Sequence, residues 1–222
     1  AVGKYLPQRI VTNHELKNQI DTSDEWIKSR TGIHQRHIVA KGQASVDMSV
    51  KAFQNLKKSF TVNVDDIDLI IVATTTPDRV IPSAASQIQK NISAVNAAAF
   101  DISVACSGFV YGLSIATSYI KSKTYNKILL FGVDTMSSIL DFNDRNTCVL
   151  FGDGAGVVLI ENGISNGIID SILKTDGNGG NSLYMEAGGS LIPASDKSVK
   201  DKLHYIKQDG KNVFKRAVSC MT

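Results

Sequence analysis

The sequence predicts an α/β protein with a mixed, largely parallel sheet and helices on both faces. Two observations carry that expectation. Residues 69–75, 97–102 and 127–133 are apolar, β-prone runs, the pattern of strands covered on both faces. Segments of helical spacing or composition separate them, and strands alternating with helices build sheets of this kind. The chain shows no tandem short repeat and no low-complexity tract.

Taken in order, residues 21–27 start a helix, with Thr22 and Glu25 at capping-box spacing. Residues 45–56 form a second helix with Val46, Val50 and Phe53 on one face. The run 69–75 is the first covered strand. Pro77 and Pro82 bracket a loop, and 84–91 is helical in composition. Residues 97–102 make the next covered strand, and 107–121 a helix with Phe109, Leu113, Ala116 and Ile120 on one stripe. The covered strand 127–133 follows. Val149-Leu150-Phe151 and 156–161 read as strands flanking a Gly-rich turn. Ile164-Ser165-Asn166-Gly167 ends the second of them, and 168–173 resumes a β pattern. Residues 176–201 are rich in Gly, Ser and Asn and read as loop. Val213, Phe214, Ala217, Val218 and Met221 fall at helical spacing with no stop signal after them. With no initiator Met at the other end, a piece of a longer protein is the expectation.

Composition is that of an ordinary globular protein: 222 residues, 43% hydrophobic and 20% charged, enough to bury a core. The balance of 24 basic and 21 acidic residues, a net +3, is too weak to argue for nucleic acid, though it permits a local basic patch for an anionic partner. Cys106, Cys148 and Cys220 are an odd set without C-x-x-C spacing. They point to neither a disulfide framework nor a metal site, and to a reducing, cytoplasmic setting. No apolar run reaches membrane-spanning length.

The most informative residue is Cys106, in Phe100-Asp101-Ile102-Ser103-Val104-Ala105-Cys106-Ser107-Gly108-Phe109. There an apolar run stops and a helix of small residues begins. A thiol at such a turn faces the positive end of a helix dipole, which favours the nucleophilic thiolate. The alternative is a small core residue. Gly152-Asp153-Gly154-Ala155-Gly156 does not make a nucleotide loop, because a phosphate loop must open a helix and Val157-Val158-Leu159-Ile160 is strand. Its glycines are expected to admit a close backbone neighbour, and Asp153 to tie down a loop. Arg30, Arg36 and Arg145, each taken alone, read as solvated charges. Trp26, the only Trp, reads as a core or boundary residue. A Trp and an Arg that meet would instead sandwich a flat heteroaromatic such as adenine. Of His14, His34, His37 and His204, none has a spacing that marks it as the partner of Cys106.

Several segments together resemble the β-ketoacyl-acyl-carrier-protein synthase III family. They are Tyr5-Leu6-Pro7, Thr22-Ser23-Asp24-Glu25-Trp26-Ile27, Arg30-Thr31-Gly32-Ile33, Val72-Ala73-Thr74-Thr75, Pro82-Ser83-Ala84-Ala85, Ala105-Cys106-Ser107-Gly108-Phe109, Phe151-Gly152-Asp153-Gly154-Ala155-Gly156 and Gly210-Lys211-Asn212-Val213-Phe214-Lys215. The resemblance implies a thiolase-like layered fold of two similar halves, each with a mixed five-stranded sheet. Residues 1–165 would be the first half, carrying the nucleophilic cysteine, and 166–222 the incomplete start of the second. It also implies a homodimer built through the N-terminal half.

By the same likeness, Cys106 takes an acyl group from acyl-CoA as a thioester. Malonyl-acyl-carrier-protein then loses CO2, and its carbanion attacks that thioester. The coenzyme A thioester is a substrate and no cofactor is implied. Trp26 and Arg145 would flank the CoA adenine, with Thr22, Arg30, Asn146, Gly210 and Phe214 around the nucleotide or the pantetheine arm. Phe109 would pack near the thiol, and Ile81 would limit the primer pocket across the dimer. Lys211, Lys215 and Arg216 would dock the acidic carrier protein. The family's His and Asn, and the second oxyanion donor, would lie after Thr222, so the chain alone is expected not to condense. The alternatives are an acyl-CoA-binding pseudoenzyme or another thiolase-fold condensing enzyme.

Overall fold

A computed structural model describes residues 1–163 and 167–221. In chain order the elements are β1 (Val2–Tyr5), β2 (Arg9–Thr12), α1 (Asn13–Lys17), α2 (Asp24–Thr31), β3 (Gln35–Ile38), α3 (Ser45–Ser59), β4 (Leu69–Ala73), α4 (Ala84–Asn91), β5 (Ala98–Ile102), α5 (Gly108–Lys121), β6 (Lys127–Thr135), α6 (Arg145–Cys148), β7 (Asp153–Glu161), β8 (Leu183–Tyr184), α7 (Asp196–Lys200), β9 (Lys207–Gln208) and α8 (Gly210–Met221). They form two compact units, each discontinuous in sequence. One comprises 1–9, 37–135 and 153–173, the other 10–36, 136–152 and 174–222.

The first unit holds a five-stranded sheet in the order β1-β7-β6-β4-β5. β4 runs parallel to β5 and β6, and β7 antiparallel to β6 and β1. All five residues of β4 are buried, as its unbroken apolar run predicts. Their side chains alternate between two cores. Ile70 and Val72 join Val46, Met48, Ala52, Phe53 and Leu56 of α3 and Ala84, Ala85 and Ile88 of α4. Leu69 and Ile71 join Ile128, Leu130 and Ala116 of α5.

Several expectations are corrected here. β5 is a sheet edge rather than a covered strand, and its residues are half-buried or exposed, with no strand paired on its outer side among the described residues. The buried stripe of α5 is Gly108, Gly112 and Ala116, with Leu113 and Ile120 only partly buried and Phe109 exposed. Small residues let this helix lie close on the sheet. The glycine-rich segment is not a turn: Asp153–Glu161 is one strand, and its glycine-bearing start pairs with β6 and β1. Asp153 does tie down a loop, its Oδ2 accepting from Val39 N at 2.8 Å. Ile168–Leu173 forms no strand, and Ile169 is 95% exposed. A β pattern needs a ladder partner, and none pairs with it among the described residues. Of the segment read as ending the preceding strand, 164–166 lie outside the described residues.

In the second unit, the cap of α2 is Ser23, whose Oγ accepts from Trp26 N at 3.0 Å, and not Thr22. The sequence offers two adjacent hydroxyls, and Ser23 is the one that takes extended backbone next to the first turn. Val149-Leu150-Phe151 is not a strand. Asp144 caps α6, and the winding continues through Val149, which keeps right-handed helical angles, to a Leu150 N–H bond with Thr147 O. Residues 176–201 are not all loop. Asp176 caps a 3-10 turn over Gly177–Ser182, β8 pairs with β9, and Ser195 and Ser198 form a capping box that starts α7. Arg36, expected on the surface, is 4% exposed. Its Nη1 donates to Val11 O, and its Nη2 to Asn13 Oδ1 and Val149 O.

Candidate functional site

Cys106 lies in a 3-10 turn, Ala105–Ser107, between the carboxyl end of β5 and the first residue of α5. Ligand sites in open parallel sheets lie at this end of the strands. Its side chain is exposed. Ala105, just before it, holds φ at 46°, a left-handed conformation that costs a non-glycine residue about 1 kcal/mol. Gly108 lets the turn sit low: a Cβ there would come within 2.9 Å of Ala73 Cβ. Phe109 packs on Gly132, where a Cβ would stand 3.3 Å from the ring. Thus a 14-residue helix points its amino end at an exposed thiol. Within the turn Ser107 N donates to Val104 O at 3.2 Å and Gly108 N to Ala105 O, so the positive end of the helix dipole lies beside the cysteine. This is the local arrangement the sequence predicts. Ile81, 85% exposed, lies in the loop before α4.

In the second unit Trp26 and Arg145 meet, which sequence spacing does not show. The Arg145 guanidinium carbon stands 4.0 Å from the centre of the Trp26 ring. Trp26 is set by the first turn of α2, and Arg145 opens α6. The Nε of Arg145 and the Oγ1 of Thr22 are buried with no hydrogen-bond partner among the described residues. Such atoms are costly unless something else satisfies them. Arg30 and Asn146 are exposed at their helices.

Arg36 supports this pair, and solitary sequence reading misses it. Asn13 accepts from Arg36 and donates to Asp24 Oδ1 at 2.9 Å in the first turn of α2, while Arg36 also holds Val149 O just after α6. One buried cation therefore ties together the two segments that carry Trp26 and Arg145. Burial draws the ionisation of Arg36 down from its ordinary value. The hydrogen bonds from Lys28 and Asn13 hold the Asp24 carboxyl below its own.

Further along, Gly210 opens α8, and Phe214 is 70% exposed on it. Lys211 and Lys215 are exposed and form no ion pair among the described residues, whereas Arg216 is paired with Asp176. His204 Nδ1 and Gln208 Oε1 are buried without partners among the described residues. No spacing in the sequence announces either.

The five-stranded mixed sheet, with a cysteine turn after a parallel strand, is that of the thiolase-like condensing enzymes. The solved β-ketoacyl-[acyl-carrier-protein] synthase III from Thermus thermophilus superposes with a TM-score of 0.86 at 33% identity, over 100% of this chain and 68% of that one. The priming β-ketosynthase of the R1128 polyketide pathway does so with 0.88 at 35%, over 98% and 64%. The sequence pattern of the 3-oxoacyl-[acyl-carrier-protein (ACP)] synthase III family matches residues 100–177. The β-ketoacyl-[acyl-carrier-protein] synthase III of Caldanaerobacter subterraneus subsp. tengcongensis is 49% identical over 224 aligned positions, covering 100% of this chain and 67% of that protein. The chain belongs to the β-ketoacyl-acyl-carrier-protein synthase III family, the initiating condensing enzymes, and is an acyltransferase by descent. It spans about two thirds of the length of these relatives.

Proposed function

We propose that Cys106 is the nucleophile of a decarboxylative condensation between an acyl-CoA primer and malonyl-acyl-carrier-protein. The observation that carries this is an exposed thiol at the amino end of α5, in a chain 49% identical to a synthase III. The Cys106 thiolate attacks the thioester carbonyl, and the CoA thiolate leaves. The malonyl group on the carrier protein then loses CO2, and the resulting carbanion attacks the acyl-cysteine. The cysteine thiolate departs, leaving a β-ketoacyl carrier protein. The thioesters supply the activation, so the chemistry is assigned to side chains and backbone N–H groups, with no resident cofactor.

Trp26 and Arg145 hold the adenine between ring and guanidinium, a reading supported by the 4.0 Å approach of the two side chains. Thr22, Arg30, Asn146, Gly210 and Phe214 line the rest of the CoA path. The buried, unpartnered Thr22 Oγ1 supports its place there. Phe109 flanks the thiol. A homodimer through the N-terminal half brings Ile81 to its partner's primer pocket. The open edge of β5 and the exposure of Ile81 support that reading. Lys211 and Lys215 dock the acidic carrier protein, with Arg216 joining them on release from Asp176. Residues 1–165 form the first thiolase-like half and 166–222 open the second. The setting is cytoplasmic, a reading supported by the free cysteines.

Intact-mass analysis after incubation with acetyl-CoA tests the first step. One acetyl group, mapped to Cys106 by peptide sequencing, is the expected result. Tight acetyl-CoA binding with the protein mass unchanged would instead make the chain an acyl-CoA binder.

A further inference from the structure

The carboxyl ends of β4 and β6 are joined by a polar clasp that the acyl-transfer chemistry does not itself use. Asp134 lies in β6, one residue from its end. Its Oδ1 faces five donors from three consecutive threonines: Thr75 N at 2.8 Å, Thr76 Oγ1 at 2.9 Å, Thr75 Oγ1 at 3.0 Å, and Thr74 Oγ1 and Thr76 N at 3.2 Å. Thr135 N donates back to Thr76 Oγ1 at 2.7 Å, and Ser45 Oγ donates to Thr76 O at 2.7 Å. Thr74, Thr76 and Thr135 are buried. One carboxylate oxygen has about two lone-pair directions, so these donors share it, and Thr76 N has a second acceptor in Thr74 Oγ1 at 3.1 Å.

The clasp sits one or two residues beyond the surface on which the nucleophile turn rests. Ala73 of β4 stands opposite Gly132 of β6 in the ladder. Gly108 packs on the first and Phe109 on the second. Thr74 N also donates to Ile102 O at 3.2 Å, and Ile102 is the last residue of the strand that delivers Cys106. Three contacts that set the height and direction of the turn therefore land on Ala73, Thr74 and Gly132; Thr74 belongs to the clasp, Ala73 adjoins it in β4, and Gly132 lies two residues before Asp134 in β6.

We infer that Asp134 is a positioning residue for the nucleophile: by holding Thr74, Thr75 and Thr76 to the end of β6 it fixes the Ala73–Gly132 floor, and with it the Cys106 sulfur. The inference rests on the acyl-cysteine reading for its catalytic consequence, but not for its geometric one. A reacting atom displaced by about 1 Å loses on the order of 100-fold in rate.

The test is a graded series measured on the whole chain. Asp134→Ala removes the oxygen that the three threonines share, leaving Thr76 N only its bond to Thr74 Oγ1. Asp134→Asn keeps an oxygen in place without the charge, and Thr75→Val removes one hydroxyl donor. Three readouts are followed: acetyl transfer to Cys106 against acetyl-CoA concentration, alkylation of Cys106 by iodoacetamide, and thermal unfolding. Asp134→Ala is expected to slow acetylation at saturating acetyl-CoA about 10- to 100-fold with the half-saturating concentration unchanged. Alkylation slows several-fold, Asp134→Asn recovers most of both rates, and Thr75→Val costs two- to threefold by the same scale. If Asp134→Ala does not fold, the other two variants carry the comparison. Variants that melt earlier yet keep wild-type rates in both assays overturn the inference. A wild-type chain that alkylates at Cys106 but takes no acetyl group overturns the acyl-cysteine reading instead. In that case an alkylation rate that falls in the order of the series upholds the clasp, and an unchanged one sinks it.

Discussion

Cys106 and Cys148 stand at opposite kinds of helix end. Cys106 precedes the amino end of α5, with its side chain exposed. Cys148 closes α6 with no accessible surface, and burial pushes its thiol up, the nearby Asp144 adding to that and Arg36 opposing it. The same side chain is thus offered to solvent at one place and sealed at the other. The contrast teaches that a cysteine's chemistry is set by the helix end it occupies and the surface left open to it.

The sharpest way to break this contrast is to remove each thiol in turn. Cys106→Ala is expected to reduce acetyl uptake from acetyl-CoA by about 1,000-fold or more, since no other group replaces the nucleophile. Cys148→Ala is expected to keep uptake within about twofold while lowering stability by about 1 kcal/mol, the scale of a small void in a packed site. Intact-mass time courses and urea unfolding read the two effects. Lost uptake in Cys148→Ala with the fold intact would erase the distinction.

A second, smaller effect separates the thiol from the CoA clamp. Trp26→Ala should raise the half-saturating acetyl-CoA concentration about 10-fold, the value of one aromatic ring stacked on a base. Arg145→Ala should do nearly the same. The double variant should lose less than the product, because the two side chains share one ligand. Iodoacetamide should alkylate Cys106 at the wild-type rate in all three. An altered alkylation rate would mean that these residues act on the turn and not on the nucleotide.

The smallest effect is alkaline. The Cys148 thiol titrates higher in the folded chain than its ordinary value of 9.0, so the native state holds that proton more firmly than the unfolded chain does. Its contribution to stability is therefore present below pH 9 and is lost as pH rises through the raised folded value. Urea unfolding at pH 7 and pH 10 should show the wild type losing up to about 1 kcal/mol relative to Cys148→Ala. Parallel losses in the two proteins would show that this thiol does not carry the difference.

Much of the first unit was legible residue by residue. The helix expected at 84–91 is α4, and the apolar core of 69–75 is β4. The turn at Cys106 was legible because a strand-like run and a helix of small residues abut there. Two runs of similar composition show where that reading stops. Leu69–Ala73 is a strand with a neighbour on each side, while Ile168–Leu173 carries the same β pattern and pairs with nothing described. The clamp was half legible: Trp26 and Arg145 were named from a resemblance, but 118 intervening residues hide their contact. Arg36 was read as a surface charge because nothing near it in sequence announces Val149 O, its buried acceptor far along the chain.

By itself the sequence determined the periodicities, the starts of α3, α4 and α5 to within a residue, the identity of the thiol placed at the mouth of α5, and the family. These are local properties, written in side-chain spacing and turn chemistry. Tertiary structure alone decided which apolar run became a strand, which arginine went inside, and which ring met which guanidinium. It also decided that three threonines would close on Asp134. Ladder hydrogen bonds, burial and ion–ring contacts join residues remote in sequence, and their energies exist only once the chain has brought those residues together.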